Sequence, residues 1–150
     1  MIVSFDFDNT LTKTQWNPDD GWFTTDAGPN TRMLALLKDH LQLGNEVHIV
    51  TTRNKDKMKE VTEFLVTHGV HDDITGIHNT SGQLKVSKLT EIGVHRHFDD
   101  DHEELLNLPR GCSGVLVASG WIDETGSTTN PSDPKWHASQ WQSMEGEIPV

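Results

Sequence analysis

Two aspartates, Asp6 and Asp8, stand one residue apart in Ile2-Val-Ser-Phe-Asp6-Phe-Asp8-Asn-Thr10-Leu-Thr12, directly after a run of mostly apolar residues. Carboxylates held that close repel each other unless a cation lies between them or one keeps a proton. A hard divalent cation and a phosphoryl ester would use both acids. Three later segments supply the missing chemical parts. Val47-His-Ile-Val50 runs into Thr51-Thr52-Arg53, where a hydroxyl and a backbone N–H suit a phosphoryl oxygen. Thr51 is preferred over Thr52 as the first residue past the apolar run, and Arg53 either reaches a substrate group or forms a surface ion pair. Gly82-Gln-Leu-Lys85-Val-Ser-Lys88 puts two lysines near a helix start, where the N-terminus adds positive potential. His97-Phe-Asp99-Asp100-Asp101 ends another expected strand in more carboxylate.

Each of these groups needs an element that delivers it to a common place. Ile2–Phe5 reads as a buried parallel strand, a short continuous apolar run, with Asp6 and Asp8 emerging at its carboxyl end. Open α/β sheets bind ligands at that end of their strands. Residues 13–28 read as a polar loop containing Trp16, Trp22 and Phe23. A helix is expected from Thr31 to about Leu43, where Met33, Leu34, Leu37 and Leu41 keep a helical period before Gly44. Strands follow at about Glu46–Val50, Asp73–Ile77, His95–Phe98 and Gly114–Ala118. Between them lie helices at Lys55–His68, from the Gly82–Lys88 segment to Gly93, and at Glu103–Leu108, with Asp101 as the N-cap of the last. Strands alternating with helices predict a parallel sheet with right-handed crossovers.

The chain has 150 residues, which predicts one domain with enough core to fold alone. It contains no apolar run of membrane-spanning length and no basic segment followed by a hydrophobic one, so cytoplasmic residence and no membrane partner are expected. Cys112, the single cysteine, fits a reducing compartment and reads as structural. A net charge of −11 counts against a general nucleic-acid binder, which gathers Lys and Arg into a patch. Nine histidines invite a transition-metal reading, but no pair shows the His-x-x-x-His spacing of a zinc helix, and Mg²⁺ prefers oxygen. Residues 120–150 form a Ser/Thr/Pro/Gly-rich extension with Trp121, Trp136 and Trp141, expected to pack on the 1–119 domain. As a flap it would lie near the site; otherwise it is a subunit contact.

Taken in order, Asp-x-Asp, Thr, Lys and Asp-Asp resemble the four signature motifs of the haloacid dehalogenase superfamily of phosphohydrolases, over about residues 1–119. The specificity lies in the set and its order. The resemblance implies a three-layer α/β/α sandwich around a central parallel five-stranded sheet of that superfamily's Rossmann-like type, with the first strand in the middle. It implies Mg²⁺-dependent hydrolysis of a phosphate monoester through an aspartyl-phosphate. Asp6 is then the nucleophile, and Asp8 the general acid and later the base, its backbone carbonyl contacting the metal. Thr51 grips the phosphoryl group, with Thr52 and Arg53 toward the substrate. Lys85 is preferred to Lys88 as the neutralising ammonium. Asp99 joins Asp6 and Asp8 on the metal, and Asp100 orients a metal-bound water or the lysine.

Many members of that superfamily carry a cap domain. Neither the slot after the first strand nor the one after the third is long enough here to hold one. An open, capless site suits a phosphate on a nucleotide, a polynucleotide 3′ end or a phosphoprotein. Asp99-Asp100, a short helix and then Gly111-Cys-Ser-Gly-Val-Leu-Val-Ala-Ser-Gly120 also look like the end of the phosphatase half of bacteriophage polynucleotide kinase–phosphatases. No kinase half or P-loop accompanies it. A nucleotide or nucleic-acid-end phosphatase therefore ranks first. A non-catalytic module binding Mg²⁺ or a protein partner stands as the alternative. Carbon–halogen hydrolysis is disfavoured, because a halide needs no proton from Asp8.

Overall fold

The computed structural model describes residues 1–13, 15–17, 22–24, 28–117, 121–122, 128–129 and 148–149. Five strands form the main sheet: β1 (Ile2–Phe5), β4 (Glu46–Thr51), β5 (Gly76–Asn79), β6 (Arg96–Asp99) and β7 (Ser113–Leu116). Of these, β1 and β4 are the apolar runs, and β5 and β6 are largely polar. All five lie parallel in the order β7-β6-β1-β4-β5, so β1 is central and has β6 and β4 beside it. A last short strand, Ile148–Pro149 (β10, after β8 at Trp121–Ile122 and β9 at Thr128–Thr129), pairs antiparallel with β7 at the edge. The α/β sandwich expected from strand–helix alternation is therefore present.

Period-2 alternation divides the sheet into two unlike faces. Val3, Phe5, Val47, Ile49 and Phe98 meet Met33, Leu34 and Leu37 of helix α1 (Thr31–Gln42) and Val61, Phe64 and Leu65 of α2 (Lys59–Thr67) in one continuous apolar core. On the other face Val50 packs with Leu89 of α3 (Val86–Ile92) and Val94, with Cys112 at its margin. This second face also buries polar side chains: Ser4, His48 and His97. Asn30 caps α1 by accepting the Met33 N–H at 3.3 Å, and Gly93 ends α3 in a left-handed conformation, φ 80°. Asp101 caps α4 (His102–Leu106) as expected, its side chain accepting the Glu103 N–H at 2.9 Å.

Three expectations need correction. Residues 13–28 are not simply a loop: Gln15–Asn17 (β2) and Trp22–Thr24 (β3) pair as an antiparallel hairpin. The third parallel strand is later than Asp73–Ile77, because His71–Asp73 coil into a 3₁₀ turn and the ladder runs through His78 and Asn79. The lysine-bearing helix begins only at Val86, after a loop in which Ser81 and Gly82 both take positive φ. Trp136 and Trp141 lie outside the described residues.

Candidate active site

The carboxyl ends of β1, β4 and β6 converge. After β1 the chain folds sharply: the Phe7 carbonyl accepts the N–H groups of Thr10, Leu11 and Thr12, and Asn9 takes φ 59°. Asp6 is held at the strand end, its N–H bonded to the Phe98 carbonyl of β6 at 2.9 Å. Thr10, four residues on and buried, donates to Asp6 Oδ2 at 3.1 Å.

Lys85 joins the other acids. Its Nζ donates to Asp6 Oδ1 at 2.8 Å and to Asp99 Oδ2 at 2.6 Å, and its side chain is only 3% exposed. Asp99 is wholly buried and fully engaged: Oδ2 also meets His97 Nε2 at 2.8 Å, and Oδ1 accepts the Asp101 N–H at 2.9 Å. A carboxylate only accepts, so His97 donates from Nε2; burial keeps this imidazole neutral, and its Nδ1 then accepts the Ser4 hydroxyl at 2.6 Å. Glu104 of α4 uses both oxygens on the Lys85 N–H, at 3.1 and 3.2 Å. It thereby satisfies a backbone donor at the start of α3 and fixes where the lysine enters the site.

The electrostatics follow from burial. Asp6, Asp99 and Asp100 offer oxygens within 4.8 Å of one another, the sole such group of metal-ligating side chains among the described residues. Burial, reinforced by the Asp99 charge and opposed by Lys85, pushes the Asp6 carboxyl up to about 7. Asp100, half-buried beside Asp6 and Asp99, is raised well above the usual carboxylate range by desolvation and by those two charges. Burial would raise Asp99 as well, but Lys85 and His97 outweigh it and hold it low. Lys85 is raised against its burial by Asp6 and Asp99. Three acids thus face one ammonium, a donor set of oxygens that fits a hard divalent cation. Asp6 carries one protein donor on each oxygen, whereas Asp99 carries two on Oδ2 and one on Oδ1, so Asp6 and Asp100 keep more capacity for a cation than Asp99 does.

The second strand end builds a separate arrangement. Thr51 closes β4, 1% exposed, and its Oγ1 accepts the Arg53 N–H at 3.2 Å, leaving its hydroxyl hydrogen to donate. Arg53 is not at the surface. Its guanidinium clamps Asp8 in two bonds, Nε to Oδ2 at 2.8 Å and Nη2 to Oδ1 at 2.7 Å, and bonds the Lys57 carbonyl at 2.9 Å. It also lies over the Phe7 ring, 5.2 Å from the centroid. Thr52 is exposed, and its carbonyl accepts the Gly82 N–H at 2.8 Å, tying the pre-lysine loop to the end of β4.

Of the residues singled out in the sequence, Asp6, Lys85, Asp99 and Asp100 meet in one cluster, while Asp8 and Arg53 pair beside it. Lys88 does not join: its Nζ bonds Glu91 Oε2 at 3.0 Å, along α3. Ser4, Thr10, His97 and Glu104 were not anticipated. What the fold and the site define is a class: a Rossmann-like α/β protein with an acidic, lysine-bearing site at its strand ends. No protein-family model matches the chain, and no curated protein matches it.

Proposed function

We propose that the chain is a Mg²⁺-dependent phosphate-monoester hydrolase of the haloacid dehalogenase type, working through an aspartyl-phosphate on Asp6. The observation that carries this reading is the convergence of Lys85 with Asp6 and Asp99, residues that sequence order alone had linked, at 2.8 and 2.6 Å. Mg²⁺ held by Asp6 and Asp100 would cancel repulsion between the anionic nucleophile and the anionic ester.

The protein groups divide the remaining work. Lys85 and Thr10 hold the two Asp6 oxygens, so the nucleophile presents a fixed direction to phosphorus. Attack forms the Asp6–phosphoryl bond as the bond to the leaving alkoxide breaks; the alkoxide takes a proton from Asp8. Water then attacks the phosphoryl group, giving its proton to Asp8 and releasing Asp6 and phosphate. Arg53 grips both Asp8 oxygens, so Asp8 has to loosen from the guanidinium to reach the leaving group or the attacking water. Thr51 offers its hydroxyl to a phosphoryl oxygen.

A nucleotide or a nucleic-acid 3′ phosphate is the substrate class we favour. The connections that could hold a cap are a short hairpin and the loop 80–85, so neither covers the site with a cap domain, which favours a phosphate on a larger molecule. The net charge of −11 favours a mononucleotide over a long polyanion. The purified protein with Mg²⁺ should release phosphate from p-nitrophenyl phosphate. A panel of nucleoside 3′- and 5′-monophosphates beside a 3′-phosphorylated oligonucleotide then ranks the substrates. No turnover of any ester would overturn the hydrolase reading in favour of a binding module.

A further inference from the structure

The sheet face that carries α3 holds a second group of ligating side chains, which the reading above does not use. His48 on β4 and His78 on β5 lie side by side, ring centroids 5.2 Å apart and planes at 25°. His48 Nδ1 stands 3.0 Å from His78 Nε2. The ladder places Gly76 opposite His48, and a Cβ on Gly76 would come within 2.6 Å of His78 Nε2 and 2.9 Å of His48 Nδ1. The missing side chain is what lets those two nitrogens converge over one backbone position. The other nitrogen of His48, Nε2, is buried with no hydrogen bond among the described residues. Glu46 Oε1, two residues back on the same face of β4, is 3.9 Å from it.

We propose that His48 and His78 form a binding site for one borderline divalent transition-metal ion of the zinc, nickel or copper class, separate from the aspartate cluster. Two nitrogens at 2.0–2.1 Å from one ion stand about 2.9 Å apart at a right angle and about 3.4 Å apart at the tetrahedral angle. The observed 3.0 Å falls within that span. Imidazole selects these ions, whereas Mg²⁺ prefers oxygen, so the two sites sort cations by ligand chemistry.

Burial lowers the proton affinity of both rings, and at neutral pH each therefore keeps a lone pair. As a metal-free pair, the facing nitrogens share one hydrogen. Metal binding moves that hydrogen to the far nitrogen of its own ring, so no proton need leave the protein. On His48 the far nitrogen is the orphaned Nε2. Glu46 Oε1, at 3.9 Å, would accept its hydrogen by moving about 1 Å closer, which would give the carboxylate–histidine–metal arrangement that fixes a ligand's tautomer. The charges facing His78 from α3 are Lys88 and Glu91, which pair with each other at 3.0 Å and so present little net repulsion to an ion. Strand pairing brings together histidines that are 30 positions apart in the chain, which no linear spacing motif could reveal.

The test is titration of the whole chain with Zn²⁺ in excess Mg²⁺, which occupies the aspartates, while histidine ring resonances are followed by NMR. One Zn²⁺ per chain should bind, shifting the His48 and His78 resonances together. His78→Ala should weaken Zn²⁺ binding by about tenfold or more, with phosphatase turnover retained, and Asp100→Asn should leave Zn²⁺ binding unchanged. Three results would each overturn the site: no shift of these two rings, unaltered affinity in His78→Ala, or loss of binding in Asp100→Asn alone. The resonance shifts on the unaltered protein decide the matter even if the variant fails to fold.

Discussion

Arg53, just past the end of β4, and Lys85, at the start of α3, are both buried cations, and they keep very different company. Around Arg53 the acids reach water: the Asp8 side chain is 29% exposed and that of Glu60 37%. Around Lys85 they do not, with Asp6 at 9% and Asp99 at 0%. The first is a satisfied pair with a fork-to-carboxylate fit, the geometry in which arginine excels. The second gathers three carboxyl groups around one ammonium, so that protons or a cation must hold off the repulsion between them. A fold does not retain that kind of imbalance for its own stability. The difference separates a positioning device from a reaction centre, and it can be broken experimentally.

The widest separation is expected from two isosteric changes. Asp6→Asn should lower phosphate release by about 10⁴-fold or more, the usual cost of losing a nucleophile. Its melting temperature should hold or rise, because a carboxyl pushed up to about 7 by burial no longer has to be kept there. Asp8→Asn should instead cost about 1–3 kcal/mol of stability, since a guanidinium whose side chain is 3% exposed loses its two-bond carboxylate and keeps Glu60 and the Lys57 carbonyl. If Asp6→Asn proved the less stable of the two, the contrast between centre and clamp would be lost. Arg53→Lys gives a smaller effect and a sharper one. If Arg53 acts on Asp8 alone, a compact ammonium loses the two-pronged grip and kcat falls while KM for a small ester holds. A raised KM with unchanged kcat would mean that Arg53 touches substrate.

Acidity should distinguish the two regions as well. Asp6 is raised from 3.8 to about 7, so it keeps its proton in the folded chain while the unfolded chain has lost it. Its contribution to stability is complete below about pH 4 and disappears as pH rises through 7. Asp100 is shifted in the same sense, whereas Asp99 acts oppositely and only below the ordinary carboxylate range. His40, His48, His78 and His97, whose proton affinity burial lowers, act in the opposite sense over this range, so the aspartate effect is read against Asp6→Asn. Between pH 5 and pH 8 the metal-free unaltered protein should lose more melting temperature, or gain less, than that variant. Mg²⁺ takes the ionised acids, so its stabilising shift should be larger at pH 8. A shift of equal size at both pH values would show that Mg²⁺ does not bind these carboxylates.

Much of this was legible in the sequence, and the failures have physical causes. Mostly apolar runs located β1 and β4, because strands buried on both faces have little room for polar residues, whereas β6, Arg96-His-Phe-Asp99, was marked by the acids at its end. The order of Asp6, Lys85 and Asp99 predicted a meeting that the crossovers then deliver. His97 and Ser4 could not be read, since their bond joins residues 93 apart through strand register. Glu104 looked like one more surface acid on a short helix; only the third dimension shows it under the Lys85 N–H. Thr10, four residues after Asp6 in a tight turn, did carry a local signal, a hydroxyl spaced to fold back on its carboxylate. Arg53 defeats composition-based reasoning altogether, because a charged side chain is buried only when its partners are, and Asp8 is 45 residues away. The β2–β3 hairpin escaped because three-residue strands are too short for alternation to register.

The smallest expected effect tests the choice that the sequence left open. Lys85 and Lys88 stand three residues apart, and both could have faced the acids. The Lys88 side chain is 30% exposed and answers only Glu91, itself 70% exposed, in a pair three residues apart on one helix. Pairs of that kind contribute little, because water screens them and two long side chains must be ordered to form them. Lys88→Ala should therefore change stability by less than about 0.5 kcal/mol and leave kcat and KM within about twofold. Steady-state kinetics beside a melting curve measures both. A tenfold fall in kcat with the fold intact would transfer the neutralising role to Lys88. The buried Lys85 would then be a structural counter-ion for Asp6 and Asp99, and the contrast drawn with Arg53 would vanish.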